Sequence, residues 1–404
     1  MAAPLADIRV IDWTIWQQGP VATTMLADLG AEVIKIEERD KGDPGRAIFA
    51  VSGGSAERGG RNFYFEANNR HKKSLALDLK HPRGREIAYK LVAKSDVFVQ
   101  NFRKGVAARL GMDYSTLRSH NERLIYASAS GYGPEGPDSA EPSFDYLGQA
   151  RSGVMNVIGP PSSPPSYIFG GIADQMGAIV LAYGIMTALV ARERYGTGQE
   201  VDASHLGSMI ALQGLNVSFK TISGMEFPRY RREESFNPLW NHYQCADGKW
   251  IAFAMLQADR YWKDFATALG LPDLADDPCF ADIRSRGRNA SALIEILDRT
   301  FASRPREEWL KILRDGGDFI YTIVNSISDL PQDPQVLANR YIVDYEHPVM
   351  GPVQLAGLPV ILSKTPGDPC GYAPELGEHT ESILTEMLGY SWDEVAQLRQ
   401  DGVL

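Results

Sequence analysis

The stretch IRVIDWTIWQQGPVATTMLADLGAEVIKIE, residues 8–37, decides how the rest of the chain is read. Ile8–Trp13 is apolar and β-branched, which predicts a strand. Pro20–Leu29 has helical character and stops at Gly30, and Ala31–Glu37 predicts a second strand. Strand, helix and strand in close succession announce a parallel sheet with a right-handed crossover. The alternation continues with a helix from Pro82 to Ala93, a strand Asp96–Phe102, a short helix to Leu110 and a strand Leu124–Ser130. An α/β fold follows, with ligands expected at the carboxyl ends of its strands.

At 404 residues the chain exceeds the usual single core, so two domains are expected. Residues 1–222 form the first part of a large domain. Residues 225–325 predict a smaller α+β domain, with YQCADGKWIAFAM as a hairpin turning at Asp247-Gly248 and helices near Asp259–Leu269, Ala290–Ser303 and Pro305–Asp315. Residues 326–404 return to the large domain with strand-like VQLAGLPVILS and a closing helix. A formal charge of −10 argues against nucleic-acid or acidic-membrane partners. Cys245, Cys279 and Cys370 are scattered, which argues against a metal site and a disulfide framework and fits the cytoplasm. The segment MAAPLADIRVIDW has no signal-peptide pattern, and the apolar run around Ala178–Ala191 is too short and interrupted to span a bilayer.

Asp174 stands out within FGGIADQMGAIVLAYGIMTALVARERYGTGQEVDAS, residues 169–204. It lies between a glycine pair and a long helix rich in small residues. Either it caps that helix, or it is a desolvated carboxylate used as a nucleophile. Local pattern leaves both open.

Glu37 ends the second strand where an acid binds a ribose in dinucleotide folds, but Gly19 is the only glycine between Asp12 and Leu29. A nicotinamide-dependent dehydrogenase therefore lacks its phosphate-binding turn. Arg70, Lys72, Lys73 and Lys80, followed by Arg103, Lys104 and Arg109, suggest a site for a multiply charged phosphate ligand. His71, His81, His120, His205, His242, His347 and His379 are isolated in sequence, and no GxSxG or HExxH is present.

The motifs GPVATTMLADLGAEVIKIE, KKSLALDLKHPRG, DVFVQNFRKGVAARLG, SASGYGPEG, GIADQMGAIVLAYGIMTALVARERYGTGQEVDAS, DPQVLANRYIVDYEHPVMGPVQLAGLPVILS and PELGEHTESILTEMLG occur in that order. With them the chain resembles the class III coenzyme A transferases (the CaiB/BaiF family) over nearly its whole length. The resemblance implies a Rossmann-like large domain whose parallel sheet is formed by both chain ends, a smaller α+β domain, and an interlocked homodimer or a pairing with a related subunit. It places the family's nucleophilic aspartate at Asp174 and an adjacent acidic residue at Asp145. Gln17 and Gln18 fall where the family lines its active site and contacts coenzyme A, Gln17 with a catalytic role. Leu77, Lys80, Asn101, Phe102, Arg103 and Arg109 match coenzyme A contacts. Glu38 occupies the column of a family arginine, whose place Arg39 or a neighbour takes.

The implied reaction is covalent. Asp174 attacks a donor acyl-CoA, giving an acyl–aspartyl anhydride, and the CoA thiolate then converts it to an aspartyl–CoA thioester. An incoming carboxylate reverses the steps, with N–H donors expected at Gly170-Gly171 and the helix turn after Asp174. No resident cofactor or metal is required; coenzyme A is a substrate. Acyl-CoA racemases resemble this family, but they place a histidine in the segment matched by SFDYLG, where this chain has Phe144. A non-catalytic partner subunit is at odds with retention of Asp174. Members using small dicarboxylates carry a glycine-rich loop at the start of the small domain, where this chain has RREESFNPLWNHYQC. Trp16, Phe236 and Trp240 then suggest an aryl, branched or 2-hydroxy acid, or else pack between domains.

Overall fold

The computed structural model describes residues 2–48 and 57–404. By backbone contacts they divide into two compact units. The first comprises residues up to Asn156, Ser166–Glu226 and Pro334–Leu404, and the second comprises Val157–Pro165 and Phe227–Asp333.

The first unit is organised by strands β1 (Arg9–Trp13), β2 (Glu32–Glu37), β3 (Lys72–Ala76), β4 (Val97–Gln100), β5 (Ile125–Ser130) and β6 (Glu200–Ser204). They pair in parallel throughout, in the order β3-β2-β1-β4-β5-β6. This is the doubly wound order, whose direction reverses between β1 and β4 and opens a crevice there. Helices α1 (Gln18–Asp28), α2 (Pro82–Val92), α3 (Val106–Arg109), α4 (Asp145–Arg151), α5 (Ile172–Tyr195) and α6 (His205–Leu212) follow in chain order.

Side-chain alternation builds two cores. On one sheet face Ile11, Ile34, Leu75 and Phe98 pack with Ile87 and Leu91 of α2. On the other, Val10, Val33, Val97 and Ile125 pack with Leu26 of α1 and Leu181 and Ile185 of α5. That second face also buries ions. Lys72 donates to Asp12 at 2.8 Å, Lys35 pairs with Asp43 at 2.9 Å, and all four side chains are almost fully enclosed. Burial alone pushes the Asp12 carboxyl up, yet Lys35 and Lys72 beside it hold it down at about 2.

Apolar spacing alone predicts neither β3 nor β6. KKSLA reads as a basic surface run because Lys72 points inward to a buried acid, while Lys73 reaches Glu32 at the sheet edge. EVDAS, β6, is a polar edge strand with one buried residue, Ala203. The expectation that both chain ends form the sheet is corrected, since its strands all lie between residues 9 and 204. The returning chain instead covers the β3 edge: His71 N–H donates to Tyr372 O, and Ala76 N–H to Thr380 Oγ1.

Helix α5 is 24 residues long, exceeding the apolar run read from the sequence, and by length and composition it could cross a membrane. It is a core helix: Ala178, Leu181, Ile185 and Ala188 are buried in the second core.

The second unit has an antiparallel sheet of β7 (His242–Gln244), β8 (Trp250–Phe253) and β9 (Tyr321–Val324), ordered β9-β8-β7. Gly248 turns the β7–β8 hairpin with φ of +77°. Helices α7 (Ala258–Ala268), α8 (Ala290–Phe301) and α9 (Arg306–Gly316) cover it around Tyr243, Phe253 and Trp309. The first unit resumes with a hairpin of β10 (Ile342–His347) and β11 (Gly351–Ala356), and α10 (Trp392–Gln400) packs Val395 and Leu398 into the first core. VQLAGL thus pairs with its own neighbour rather than joining the parallel sheet.

Candidate active site

Two clefts open at the carboxyl ends of the strands. The first, about 750 Å³, lies over β1, β2 and β3 and is lined by Trp13–Ile15, Ile36–Pro44 and Leu77–Lys80. The second, about 640 Å³, is lined by Ile15, Trp16, Gln18, Tyr64, Asn101–Lys104, Ser143, Phe144, Asp174 and His205, among others. Ile15, Phe102 and Val106 line both, so the clefts adjoin at the crevice between β1 and β4.

The loop between β1 and α1 separates them and is held from several sides. Asn101 Oδ1 accepts from Ile15 N–H at 2.9 Å while its Nδ2 donates to Ile15 O at 2.6 Å. Asp43 accepts from Trp16 N–H, and Lys35 donates to Thr14 O. Trp16 sits at φ of +65°, a left-handed conformation that costs a bulky residue energy and persists only under such constraint. Its ring meets Phe144 edge-on at 6.4 Å between centroids.

Asp174 lies in the first turn of α5, whose N-cap is Gly171. The cap reading of Asp174 is therefore corrected: its carboxylate bonds no backbone of its own helix. The capping acid is Asp145, at the start of α4, whose Oδ1 accepts from Ala173 N–H at 2.6 Å and from Asp174 N–H at 3.3 Å. Gln149 Nε2 donates to Asp145 Oδ2 at 2.8 Å and to Ile168 O at 2.9 Å, fixing the loop before α5. Asp174 Oδ1 instead meets His205 Nε2 at 2.8 Å, with the carboxylate partly open to the cleft and the imidazole nearly buried. Ser143 Oγ lies 3.3 Å from His205 Nδ1. Tyr64 also faces this cleft. Burial, with Asp174, Asp43 and Asp145 nearby, pushes its phenol well up, so it stays a hydrogen-bond donor.

Other expected residues are sorted by position. Gln18 lines the second cleft, packs against Gly177 and donates to Ala203 O at 3.1 Å. Gln17 turns away: its amide packs on Gly171 and donates to Gly170 O, so it braces the loop before α5 rather than lining the cleft. Leu77, Lys80 and Arg39 line the first cleft, Asn101 and Arg103 the second, and Phe102 both. Arg39 is tethered to Asp40 and Gly402 O. Arg109 is exposed and lines neither cleft. Phe236 and Trp240 belong to the second unit, where both are exposed.

Three of the seven residues of the basic cluster are held in ion pairs within the fold. Arg70 makes a two-pronged pair with Asp28, Lys72 is buried on Asp12, and Lys73 pairs with Glu32. Lys80, Arg103 and Lys104 remain at the clefts. Glu37 is likewise occupied, by Arg46 at 2.7 and 2.8 Å and Ser74 at 2.6 Å, so both its oxygens are held within the protein. His205 was missed because Asp174 lies thirty-one positions away in sequence. Its only local signal is its place directly after β6, where the sheet delivers it to the ligand-binding edge.

Similarity to known proteins extends over nearly the whole chain. A family profile described as CoA-transferase family III matches residues 5–380. Succinyl-CoA–D-citramalate CoA-transferase of Chloroflexus aurantiacus is 31% identical, over 99% of this chain and 98% of its own. Cinnamoyl-CoA:phenyllactate CoA-transferase of Clostridium sporogenes is 30% identical, over 98% of this chain and 96% of its own. The crystal structure of a CaiB/BaiF family protein from Brucella suis superposes with a TM-score of 0.85 at 28% identity, over 96% of this chain and all of that one. The chain belongs to CoA-transferase family III, the CaiB/BaiF family, whose enzymes move coenzyme A from an acyl-CoA to a carboxylic acid.

Proposed function

We propose that Asp174 is the nucleophile of this transfer and that it carries first the acyl group and then coenzyme A. The observation that carries the reading is a carboxylate with one oxygen bonded to His205 and a face on a cleft that adjoins a second, larger one. Coenzyme A lies with its nucleotide end in the first cleft, near Lys80, and its thioester in the second. A carboxylate attacks well only where water is excluded and its approach is fixed, and the bracing of α5 by Asp145, Gln149 and Gln17 supplies the fixing.

The acceptor is an aryl, branched or 2-hydroxy acid. Trp16 and Phe144 support this by placing two aromatic rings at the cleft that holds Asp174. The relatives named for D-citramalate and phenyllactate, both 2-hydroxy acids, support it as well. The working form is a homodimer. Ile179, Tyr183 and Val190 form one exposed apolar face of α5, and Leu215 and Ile222 nearby in sequence are more exposed still. Exposed apolar side chains of this size suit burial against a second copy.

A racemase needs two bases on opposite sides of the α-carbon. Here Asp174 and His205 bond each other on one side, and Phe144 stands among the other lining residues. Hydroxylamine added with an acyl-CoA derivatises Asp174 in the transferase reading, and peptide mass locates the label. An active enzyme with unlabelled Asp174, or deuterium washing into the α-position at catalytic rate, overturns it. A screen of oxalate, succinate, D-citramalate and phenyllactate as acceptors identifies the acid.

A further inference from the structure

Covalent transfer through Asp174 develops negative charge at two different oxygens. When Asp174 attacks the thioester, charge gathers on the substrate's carbonyl oxygen. When the CoA thiolate returns to the acylated residue, it gathers on the carbonyl oxygen of Asp174 itself. The helix start was expected to supply the N–H donors, but those of Ala173 and Asp174 are already given to Asp145.

We propose that His205 Nε2–H is the oxyanion donor for attack at the Asp174 carbonyl, which makes His205 a catalytic residue of the two steps in which Cγ is attacked, by the CoA thiolate on the anhydride and by the acceptor carboxylate on the thioester. The inference rests on Asp174 being the nucleophile. His205 Nε2 lies 2.8 Å from Asp174 Oδ1, within the range such a donor needs. Oδ2 then forms the bond to the acyl carbon, and Oδ1 remains as the carbonyl oxygen of the anhydride. The thiolate adds to Asp174 Cγ, forming the C–S bond while Oδ1 takes the negative charge against His205. The Cγ–Oδ2 bond then breaks, the donor acid leaves as a carboxylate that carries Oδ2 and the electron pair, and Oδ1 becomes a carbonyl again. No proton changes hands. A neutral imidazole that donates from Nε2 has Nδ1 as its acceptor, and the Ser143 hydroxyl, 3.3 Å away, is placed to donate to it. His205 is the first residue of α6, and Gly148 leaves room for it: a Cβ there would lie 2.7 Å from His205 Cβ. The ring is thus held by two helices and costs little reorganisation when charge appears.

The test is rapid-quench mass analysis of the intact protein, which distinguishes an acyl adduct on Asp174 from a coenzyme A adduct. The donor is whichever of succinyl-CoA, acetyl-CoA and cinnamoyl-CoA labels the wild-type chain best. In His205→Ala the acyl adduct is expected to form at close to the wild-type rate and accumulate, while the CoA adduct forms about 100-fold more slowly or worse. His205→Gln, which keeps an N–H donor, recovers part of that loss. Matched melting temperatures of both variants separate chemistry from misfolding. A CoA adduct at the wild-type rate in His205→Ala overturns the proposal, as does equal slowing of both adducts, which marks a positioning role only. Absence of any adduct on wild-type Asp174 removes the nucleophile reading beneath it.

Discussion

The carboxylate of Asp145 accepts the backbone N–H of Ala173 at 2.6 Å, so the helix that carries Asp174 is capped by a residue from another helix. The contact spans 28 positions and ties α4 to α5 at the cleft. It does locally what an N-cap does, satisfying free N–H groups and placing negative charge at a positive helix end. It also spaces two carboxylates by fixed geometry rather than by a loop.

Asp145→Ala is expected to cost about 1 kcal/mol of stability, as lost caps do, and to lower transfer more than that figure alone explains. Asp145→Asn keeps one acceptor oxygen and falls between. Chemical denaturation gives the stability, and hydroxylamine labelling of Asp174 gives the activity. Full labelling in Asp145→Ala contradicts the idea that this cap positions the nucleophile.

Gly148→Ala adds a methyl group that meets His205 Cβ at 2.7 Å and Ala173 Cβ at 3.2 Å. On an exposed helix the change is stabilising by about 1 kcal/mol. Here overpacking is expected to reverse the sign, by about 1–3 kcal/mol, and to displace the imidazole from Asp174. The measurements are urea denaturation and turnover of the same sample; a more stable and fully active variant refutes the packing argument.

The legible parts of the chain were those marked by continuous apolar runs, amphipathic spacing or turn residues. β1, α1, β2, α2 and the β7–β8 hairpin follow directly from apolar spacing and turn residues. β3 did not, because Lys72 is inside and its partner Asp12 is sixty positions away. The same blindness made Arg70 and Lys72 resemble phosphate ligands when Asp28 and Asp12 already hold them. Asp174 was visible through its motif, but its partner was not. His205 meets it only because β6 and α5 return to the same edge of the sheet, a property of topology that no local window contains.

Exposure sorts the remaining basic residues by expected effect. Lys80→Ala and Arg103→Ala remove cations lining the clefts and are expected to raise KM for the acyl-CoA several-fold with kcat little changed. The effect shrinks as salt is added, since partly exposed phosphate contacts are screened. Arg109→Ala, outside both clefts, is expected to leave KM unchanged. Steady-state kinetics at low and high salt check all three, and a KM defect in Arg109→Ala assigns the phosphate site elsewhere.

The buried ion cluster sets the acid limit of the fold. Burial raises the Asp12 carboxyl, but Lys35, Lys72 and the Thr14 hydroxyl overcome it and hold it at about 2, below its ordinary 3.8. A group whose folded value is depressed stabilises the fold above its unfolded value and loses that contribution as pH falls through the folded one. Asp12 therefore contributes fully above about pH 4 and progressively less toward pH 2, on the order of 2 kcal/mol in all. Asp12→Asn is expected to flatten this part of the acid limb. At neutral pH it costs about 3–5 kcal/mol, because Lys72 and Lys35 lose a buried counter-ion. Urea midpoints of the wild type and the variant between pH 2 and 6 measure both effects; parallel profiles show that other carboxylates, such as Glu37 on Arg46, carry the acid response.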